Sequence, residues 1–369
     1  MTGALSMVVQ ENVSLAPFST LDIGGPARFM AEADDESQVL EALELAMVRN
    51  LPLFVLGGGS NTVFSDSGFP GLVIRMANRG LHPVGDADGV INVAAGENWD
   101  AFVRWSVERG LAGIECLSGI PGTVGGTPIQ NVGAYGQEVS EVIASVRVVE
   151  RETGCIMDLS KDSCGFGYRT SAFNTTQRGR YIVLSVSFWL RPGGEPRIQY
   201  ADLRRLFEKQ TNGISLAEIR NGVLAIRASK AMVLTPGDPD SRSAGSFFKN
   251  PVVTEEQFSE IEESARIRGR LSKSESLLRY RSGQGQVKLA AAWLIERAGF
   301  QKGYSRGRVG LSSKHTLALV NRGGATAAEV LDLMREIQDG VRSAFGIDLV
   351  PEPVFVGFQD RPNISAASL

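Results

Sequence analysis

The segment Ser118-Gly-Ile-Pro-Gly-Thr-Val-Gly-Gly-Thr-Pro-Ile-Gln-Asn-Val-Gly-Ala-Tyr-Gly136 carries more structural information than any other part of this chain. Its 19 residues include six glycines and two prolines, and none of its side chains is charged. Prolines fix φ, whereas glycines permit left-handed backbone and close approach of another group. The pattern therefore indicates a shaped loop that comes close to a ligand, not a flexible linker.

A second glycine-rich segment, Val55-Leu-Gly-Gly-Gly-Ser-Asn-Thr62, follows an apolar run that is typical of a buried strand. Three consecutive glycines let backbone N–H groups turn outward around an anion, and Ser60, Asn61 and Thr62 add side-chain donors. A diphosphate would fit this loop, although a plain tight turn explains the segment equally well. It is neither a Walker loop nor a Gly-x-Gly-x-x-Gly motif, because Thr62 stands where the third glycine would be. Two such loops together suit a long ligand with a central diphosphate, such as a flavin dinucleotide.

Length and composition narrow the class of protein. A chain of 369 residues predicts two to three domains. The net charge of −3 argues against a nucleic-acid partner, and the longest apolar runs are far shorter than the roughly 18 residues of a membrane span. The first 20 residues do not resemble a signal peptide, so we expect a cytoplasmic protein. Three cysteines are expected to be small buried side chains, and two histidines are too few for a classical metal site.

The order of predicted elements indicates an α+β chain. Strand and helix patterns alternate up to the turn-rich stretch at 191–196, and helices dominate beyond it. Asp34 and Asp35 are expected to open a helix whose apolar face is Val39, Leu40, Leu43, Ala46 and Met47. Other predictions are a hairpin of 144–151 and 155–159, strands at 181–190 and 246–249, and helices at 287–298 and 327–345, the last capped by Thr326 and Glu329.

Four ordered segments resemble the UDP-N-acetylenolpyruvoylglucosamine reductase (UDP-N-acetylmuramate dehydrogenase) family, in its longer, tyrosine-loop subfamily. They are Pro128–Gly136, Gly167–Phe173, Ala244–Pro251 and Val350–Phe355, within a likeness that runs from about residue 18 to residue 358. The resemblance implies a two-lobed FAD-binding fold of the vanillyl-alcohol-oxidase type, followed by a C-terminal α+β substrate-binding domain. We place these domains at 1–79, 80–210 and 211–360, with a tail at 361–369.

The same resemblance implies FAD that is bound non-covalently, NADPH as the electron donor and a monomeric enzyme without a metal. Non-covalent binding fits Asn61, because related oxidases carry a histidine in this loop where they attach the flavin. The residues that the resemblance assigns to FAD are Gly57, Gly58, Gly59, Ser60, Asn61, Thr62, Gly122, Thr123, Gly125, Gly126, Ile129, Gln130, Asn131, Gly133, Ala134, Tyr135 and Gly136.

The implied substrate is an enol ether that bears a carboxylate, so its reduction leaves an enolate-like carbanion that must be stabilised and protonated. The planar fork of Arg169 suits the carboxylate and the charge that develops on it. Ser246 corresponds to the family's proton donor, and a positioned hydroxyl can protonate a strongly basic carbanion. Glu352 corresponds to the third catalytic group, which stabilises the enolate as a hydrogen-bond donor.

Substrate contacts carried over from the resemblance are Tyr168, Tyr200, Lys230, Asn250 and His315. The segment 231–245 is several residues longer than the family's usual spacing, which leaves the role of Lys230 open. A sugar or alcohol oxidase on the same flavin fold is the alternative enzyme, and a silent flavin- or nucleotide-binding module is the alternative outside catalysis. The coincidence of Arg169, Ser246 and Glu352 favours the reductase.

Overall fold

A computed structural model describes residues 6–85, 89–208, 210, 213–281, 283 and 285–359. The chain divides into two compact units. The first comprises the residues up to Val13, Ala27–Gly59 and Phe69–Val233, and the second comprises Ser14–Pro26, Ser60–Gly68 and the residues from Leu234 onward. The domains predicted at 1–79, 80–210 and 211–360 stay a prediction, and the predicted tail at 361–369 lies outside the described residues.

The described residues form seven α-helices and 21 strands. The α-helices are α1 (Glu36–Val48), α2 (Trp99–Glu108), α3 (Ala201–Phe207), α4 (Leu216–Ser229), α5 (Glu255–Ile267), α6 (Ala291–Arg297) and α7 (Ala327–Phe345). The strands are β1 (Val9–Ser14), β2 (Pro26–Ala33), β3 (Leu53–Leu56), β4 (Thr62–Phe64), β5 (Phe69–Met76), β6 (Leu81–Pro83), β7 (Val90–Ala94), β8 (Leu111–Ala112), β9 (Gly133–Ala134), β10 (Gln137–Glu138), β11 (Ile143–Glu150), β12 (Ile156–Ser160), β13 (Tyr181–Trp189), β14 (Arg191–Pro192), β15 (Val252–Thr254), β16 (Arg279–Arg281), β17 (Gln286–Leu289), β18 (Ser305–Arg306), β19 (Val309–Leu311), β20 (Leu319–Asn321) and β21 (Val354–Val356). Of the described helices, none is both long enough and apolar enough to cross a membrane.

One sheet of the first unit has the strand order β1-β2-β5-β3, in which β2, β5 and β3 run parallel. Helix α1 connects β2 to β3 and begins as predicted, because the Asp35 side chain accepts a hydrogen bond from the Gln38 N–H. The predicted apolar face is wrong at Met47, which is 59% exposed. The buried stripe runs along Val39, Leu43 and Ala46, and each further residue turns the helix by about 100°, which takes Met47 out of the stripe.

The other large sheet of the first unit is antiparallel, with the order β12-β11-β13-β7-β6. Strands β11 and β12 form the predicted hairpin. Strand β13 lies between β11 and β7 and is buried along most of its length, which explains its largely apolar sequence. Helix α2 packs on this sheet, with the rings of Trp99 and Phe102 lying 5.9 and 5.1 Å from the ring of Phe188.

The second unit is organised around α7, which spans the predicted residues. Its N-terminus has the predicted capping box: the Thr326 side chain accepts from the Glu329 N–H, and the Glu329 carboxylate accepts from the Thr326 N–H. Its apolar stripe is buried in a core shared with the sheets β15-β17-β16 and β18-β19-β20. The carboxylate of Asp66 accepts from the first helical N–H groups, those of Ala327 and Ala328, and ties the segment after β4 to this helix.

Two predicted elements of the second unit are wrong in part. The predicted helix at 287–298 begins only at Ala291, because Gln286–Leu289 is strand β17, in which Val287 and Leu289 alternate as buried residues. The predicted strand at 246–249 is reduced to a single bridge between Phe248 and Pro351. Proline has no N–H to donate, so the ladder does not extend at this point.

The cysteines fall into two classes. Cys116 and Cys164 are buried, as predicted, whereas Cys155 is exposed in the turn between β11 and β12, so the prediction is wrong for that residue. Burial raises the pKa of the Cys116 thiol to about 12 and that of the Cys164 thiol to about 11. The thiolate is the reactive species, so both buried thiols are expected to be inert near neutral pH.

We predict that a soluble disulfide reagent at pH 8 labels one thiol per native chain rapidly. Cys155→Ser removes the rapid phase, whereas Cys164→Ser leaves it unchanged. The measurement is the absorbance of the released thiolate over time, calibrated against the denatured protein with its three thiols. Rapid labelling of a second thiol in the native wild type would contradict the buried positions of Cys116 and Cys164.

Candidate active site

The two glycine-rich segments approach each other closely in the first unit. A methyl group built on Gly58 would lie 2.6 Å from the Cα of Gly122, and one built on Gly57 would lie 2.6 Å from Oγ1 of Thr123. A side chain at Gly58 would therefore push the two backbones apart. At Gly126 a methyl group would meet nothing within 4 Å, so this part of the loop borders open space. A cradle of backbone that a Cβ would fill suits the diphosphate and the flat rings of a dinucleotide such as FAD.

An ion pair holds the beginning of the longer loop. Asp100, in the first turn of α2, accepts a hydrogen bond from the Gly119 N–H at 2.5 Å. The Arg220 guanidinium on α4 donates to both oxygens of the same carboxylate, at 2.7 and 2.8 Å. Burial opposes ionisation of Asp100, but the hydrogen bonds from Arg220 and Gly119 outweigh it, so the pKa of Asp100 lies below its usual value. The loop is thereby fixed to two helices at its first glycine.

Three non-glycine residues near this loop have left-handed backbone: Asn131 at φ 46°, Tyr135 at φ 50° and Arg169 at φ 55°. Such a conformation is unfavourable for a residue with a side chain and persists only where neighbouring contacts enforce it. For Asn131 these contacts are visible, because its buried side-chain amide donates to the Glu138 carboxylate at 2.7 Å and to the Gly167 carbonyl at 3.0 Å. Three of the seven described non-glycine residues with left-handed backbone thus lie where the sequence predicts function.

The structure connects Arg169 to the glycine-rich loop. Its guanidinium donates to the Gly133 carbonyl at 2.7 Å, and its own carbonyl accepts from the Asn174 amide at 3.3 Å. The guanidinium also lies over the Tyr168 ring, 5.6 Å from the ring centre. Ser171 completes the connection by donating to the Ile129 carbonyl at 2.6 Å. The predicted catalytic arginine therefore stands beside residues that were predicted to bind FAD.

A second group of predicted residues meets around Tyr135. The rings of Tyr135 and Tyr200 pack edge to face with their centres 5.2 Å apart. Lys230 forms an ion pair with Asp202 at 2.9 Å, and both charges act on the Tyr135 hydroxyl. Burial raises the pKa of Tyr135, and Arg227 opposes that rise. The structure therefore brings together Tyr135, Tyr200 and Lys230, which were predicted separately.

Arg227 is a member of this group that the sequence reasoning missed. Its guanidinium donates to the Met232 carbonyl at 2.6 Å and interacts electrostatically with the Tyr135 side chain. Its side chain also lies beside Gly119, where a methyl group would come within 3.3 Å of its Nε. Burial lowers the pKa of Arg227, against the opposing effects of Tyr135 and Asp100. The available signal was its position three residues before Lys230, at the end of the same helix.

The segments that contain the predicted residues Ser246 and Glu352 are neighbours in the second unit. Ser246 is half-buried between left-handed Gly245 and the buried Phe247. The Glu352 N–H donates to the Phe247 carbonyl at 2.8 Å, and the Lys249 N–H donates to the Val350 carbonyl at 2.9 Å. These two backbone hydrogen bonds place the segment of Ser246 next to the segment of Glu352.

The remaining predicted contacts are also in the second unit. The Asn250 side-chain oxygen accepts from the Ala291 N–H at 2.9 Å and so caps α6. The His315 N–H donates to the Ser312 hydroxyl at 3.3 Å. Ser60, Asn61 and Thr62 lead into or begin β4. The predicted ligand contacts of these residues stay predictions.

Two family models match the chain, one in each half. Residues 27–160 match the model described as "FAD binding domain", and residues 238–356 match "UDP-N-acetylenolpyruvoylglucosamine reductase, C-terminal domain". The glycine-rich cradle and the first match define an FAD-dependent oxidoreductase.

Relatives specify the family. A UDP-N-acetylenolpyruvoylglucosamine reductase of Thermobifida fusca is 48% identical over 351 residues, which is 94% of this chain and 97% of that protein. The enzyme of the same name from Saccharopolyspora erythraea is 46% identical over 93% of this chain and 94% of its own. A solved structure of the Thermus caldophilus reductase has a TM-score of 0.65 at 26% identity, and covers 95% of this chain and 99% of that one. The chain belongs to the UDP-N-acetylenolpyruvoylglucosamine reductase family.

These findings confirm the predicted family, the fold class and FAD as the cofactor. The α+β FAD-binding region of the vanillyl-alcohol-oxidase type is followed by a C-terminal domain of the reductase family, as the sequence motifs predicted. The individual roles of Arg169, Ser246, Glu352 and the ligand-binding residues stay predictions.

We predict that Asp100→Asn weakens FAD binding about tenfold, because one lost charge-assisted anchor at Gly119 is worth about 1–2 kcal/mol. It should also lower the free energy of unfolding by about 1–3 kcal/mol, since Arg220 loses its counter-charge. The pKa of Asp100 is lowered on folding, so its stabilising effect is present above the unfolded value of 3.8 and disappears as the pH falls through the folded value. The measurements are FAD titration of the apoprotein, followed by flavin fluorescence, and urea unfolding.

Glu36→Gln is the matched control. The Glu36 carboxylate also accepts two hydrogen bonds from one guanidinium: Nε and Nη2 of Arg147 donate to it at 2.7 and 3.1 Å, in the same unit. We expect unchanged FAD affinity for this variant. Equal FAD affinities of Asp100→Asn and the wild type would show that the ion pair does not shape the cofactor loop.

Proposed function

We propose that this chain reduces UDP-N-acetylglucosamine enolpyruvate to UDP-N-acetylmuramate, with FAD as cofactor and NADPH as electron donor, in the synthesis of peptidoglycan precursors. The observation that carries the proposal is the adjacency of the Ser246 and Glu352 segments, connected by the hydrogen bond from the Glu352 N–H to the Phe247 carbonyl at 2.8 Å. A proton donor and an enolate-stabilising group are the two functions that this reduction needs beside its redox centre.

In the overall reaction the enol ether double bond gains two hydrogens, one as a hydride equivalent from NADPH and one as a proton, and NADP⁺ is released. When bound, FAD would supply the two-electron redox chemistry between NADPH and the substrate. The backbone of Gly57–Gly59 and 122–126 is proposed to hold its diphosphate. Close approach at Gly58 and Gly122 supports this assignment, since a side chain at Gly58 would disrupt the cradle.

Arg169 is proposed to bind the substrate carboxylate and to stabilise the negative charge that spreads onto it during reduction. A guanidinium is a planar fork of five N–H donors that suits a carboxylate, and the bond to the Gly133 carbonyl at 2.7 Å holds this fork beside the glycine-rich loop. Its left-handed backbone and the bond from Asn174 support a fixed direction for this side chain. Preorganised charge of this kind stabilises a developing anion without reorganisation during the reaction.

Ser246 is proposed to donate its hydroxyl proton to the carbanion carbon next to the carboxylate, and to recover a proton from water. Half-burial between left-handed Gly245 and buried Phe247 supports a restricted position for that hydroxyl. Glu352 is proposed to stabilise the enolate by a hydrogen bond. Both side chains act after the transfer of electrons has begun, so neither is needed for the oxidation of NADPH.

Tyr168, Tyr200, Lys230, Asn250 and His315 are proposed to contact the nucleotide sugar. Support comes from the packing of Tyr200 on Tyr135 and from the positive charges of Lys230 and Arg227 beside them, which suit a diphosphate. A nucleotide sugar and NADPH as reactants also suggest that the enzyme works in the cytoplasm.

We predict that NADPH oxidation by the purified protein depends on the enolpyruvyl nucleotide and consumes the two in a 1:1 ratio. The measurement is NADPH absorbance at 340 nm together with dissolved oxygen. Oxygen uptake driven by a sugar or alcohol, without NADPH consumption, would instead identify an oxidase. Binding of FAD and nucleotide without turnover would identify a silent binding module.

We predict that Ser246→Ala slows the reoxidation of reduced enzyme by substrate at least 100-fold, because a positioned general acid contributes about 10²–10⁴ in rate. The reduction by NADPH should stay within about twofold, since the hydroxyl takes no part in it. Anaerobic stopped-flow absorbance of the flavin measures both steps. Ser259→Ala, which removes an exposed hydroxyl from α5, serves as the control. Unchanged reoxidation in Ser246→Ala would refute the proposed proton donor.

A further inference from the structure

Glu352 lies between two prolines, Pro351 and Pro353. Neither proline can donate a backbone hydrogen bond, so Glu352 has the only N–H of the three residues. That N–H donates a hydrogen bond to the Phe247 carbonyl at 2.8 Å. The other backbone group of Glu352 that can form a hydrogen bond is its carbonyl.

The carbonyl of Glu352 accepts a hydrogen bond from the side-chain amide of Asn61, with Nδ2 and O 3.3 Å apart. Asn61 is 291 residues away in sequence, but both residues belong to the second unit. The backbone of Asn61 is bound to the same segment, because its carbonyl accepts from the Val354 N–H at 2.9 Å. The two hydrogen bonds of Asn61 therefore lie on either side of Pro353.

The strand that follows Asn61 keeps this amide in place. Strand β4 pairs in parallel with β21, with Thr62 opposite Val354 and Phe64 opposite Val356. Val63 and Phe64 are fully buried, so β4 cannot slide along β21 without exposing them. The register of this pair fixes Asn61 beside the residue that comes just before β21.

We propose that Asn61 is a positioning residue for Glu352: its side-chain amide fixes the Glu352 carbonyl, and so the direction in which the carboxyl group leaves the backbone. This inference rests on the proposed function, because it takes Glu352 as the group that stabilises the enolate. It assigns to Asn61 a function besides the FAD contact predicted from the sequence. The predicted FAD contact of Asn61 is a separate prediction.

Asn61→Ala tests the proposal. We expect substrate-driven reoxidation of the reduced enzyme to slow about tenfold, which is the effect of losing one hydrogen bond of ordinary strength at the step where it matters. FAD affinity is measured separately, and both half-reactions are followed in enzyme saturated with FAD, where flavin reduction by NADPH should change by less than about twofold. Asn61→Asp keeps the size of the side chain but presents an acceptor to the Glu352 carbonyl, and should be slowed at least as much. It is the variant to use if Asn61→Ala does not fold.

Gln338→Ala is the matched control. The Gln338 amide donates to the Leu349 carbonyl at 2.8 Å, so the variant loses the same kind of hydrogen bond three residues before Glu352. We expect a lower melting temperature but reoxidation within about twofold of the wild type. If Gln338→Ala slows reoxidation as much as Asn61→Ala does, loosening of the whole segment explains the effect and the proposal is wrong.

A double-mutant cycle with Glu352→Ala gives the decisive result. If Asn61 acts through Glu352, Asn61→Ala should slow reoxidation by less than about twofold once the Glu352 side chain is gone, because interacting residues are non-additive. A full tenfold effect in that background overturns the proposal. So does a large loss of FAD affinity in Asn61→Ala with normal reoxidation of the loaded enzyme, which would make Asn61 a cofactor ligand only. If Glu352→Ala alone has no effect, or if the wild type does not react with the enolpyruvyl nucleotide, the proposed function fails instead.

Discussion

The close approach of two backbones at Gly58 and Gly122 is the constraint on which the chemistry of the first unit depends. Gly58 lies so near to Gly122 that a methyl group would be 2.6 Å from the opposite Cα. The start of the loop around Gly122 is tied at Gly119 to Asp100, and through Asp100 to Arg220, which helps to hold the loop in this position. The glycine-rich loop has few large side chains that could pack and fix it, so contacts with the neighbouring helices hold it in place.

Strained backbone is found at predicted site residues of the first unit. Arg169 and Tyr135 are held in left-handed conformations, and each is bound to a neighbour that stands in the predicted site. In the second unit the constraint is a shortage of backbone hydrogen-bond donors, since Pro351 and Pro353 on either side of Glu352 have no N–H. Asn61 and Phe247 compensate by binding the carbonyl and the N–H of Glu352.

Local patterns in the sequence predicted most of the elements, because their signals lie within a few residues. The capping box of Thr326 and Glu329 located α7, and the hairpin of β11 and β12 was evident from its alternation. The helix predicted at 287–298 was wrong at its start, where a four-residue strand has too few positions to be told from a helical turn.

The site was predictable in its residue types but not in its connections. Motif resemblance singled out Arg169, Ser246 and Glu352, since each stands in a distinctive segment. The pairing of Asn61 with Glu352 spans 291 residues and depends on the register of β4 and β21, which no local pattern encodes. Arg227 was missed because burial beside Tyr135 sets it apart, and the burial of one arginine is not visible in sequence.

The measurement that tests the account most directly is the anaerobic visible spectrum of the purified protein. The account predicts the yellow spectrum of bound flavin, bleached by one equivalent of NADPH, and restored by the enolpyruvyl nucleotide in the absence of oxygen. A colourless protein that takes up no FAD would contradict it. So would a bleached protein whose colour returns with oxygen but not with the enolpyruvyl nucleotide.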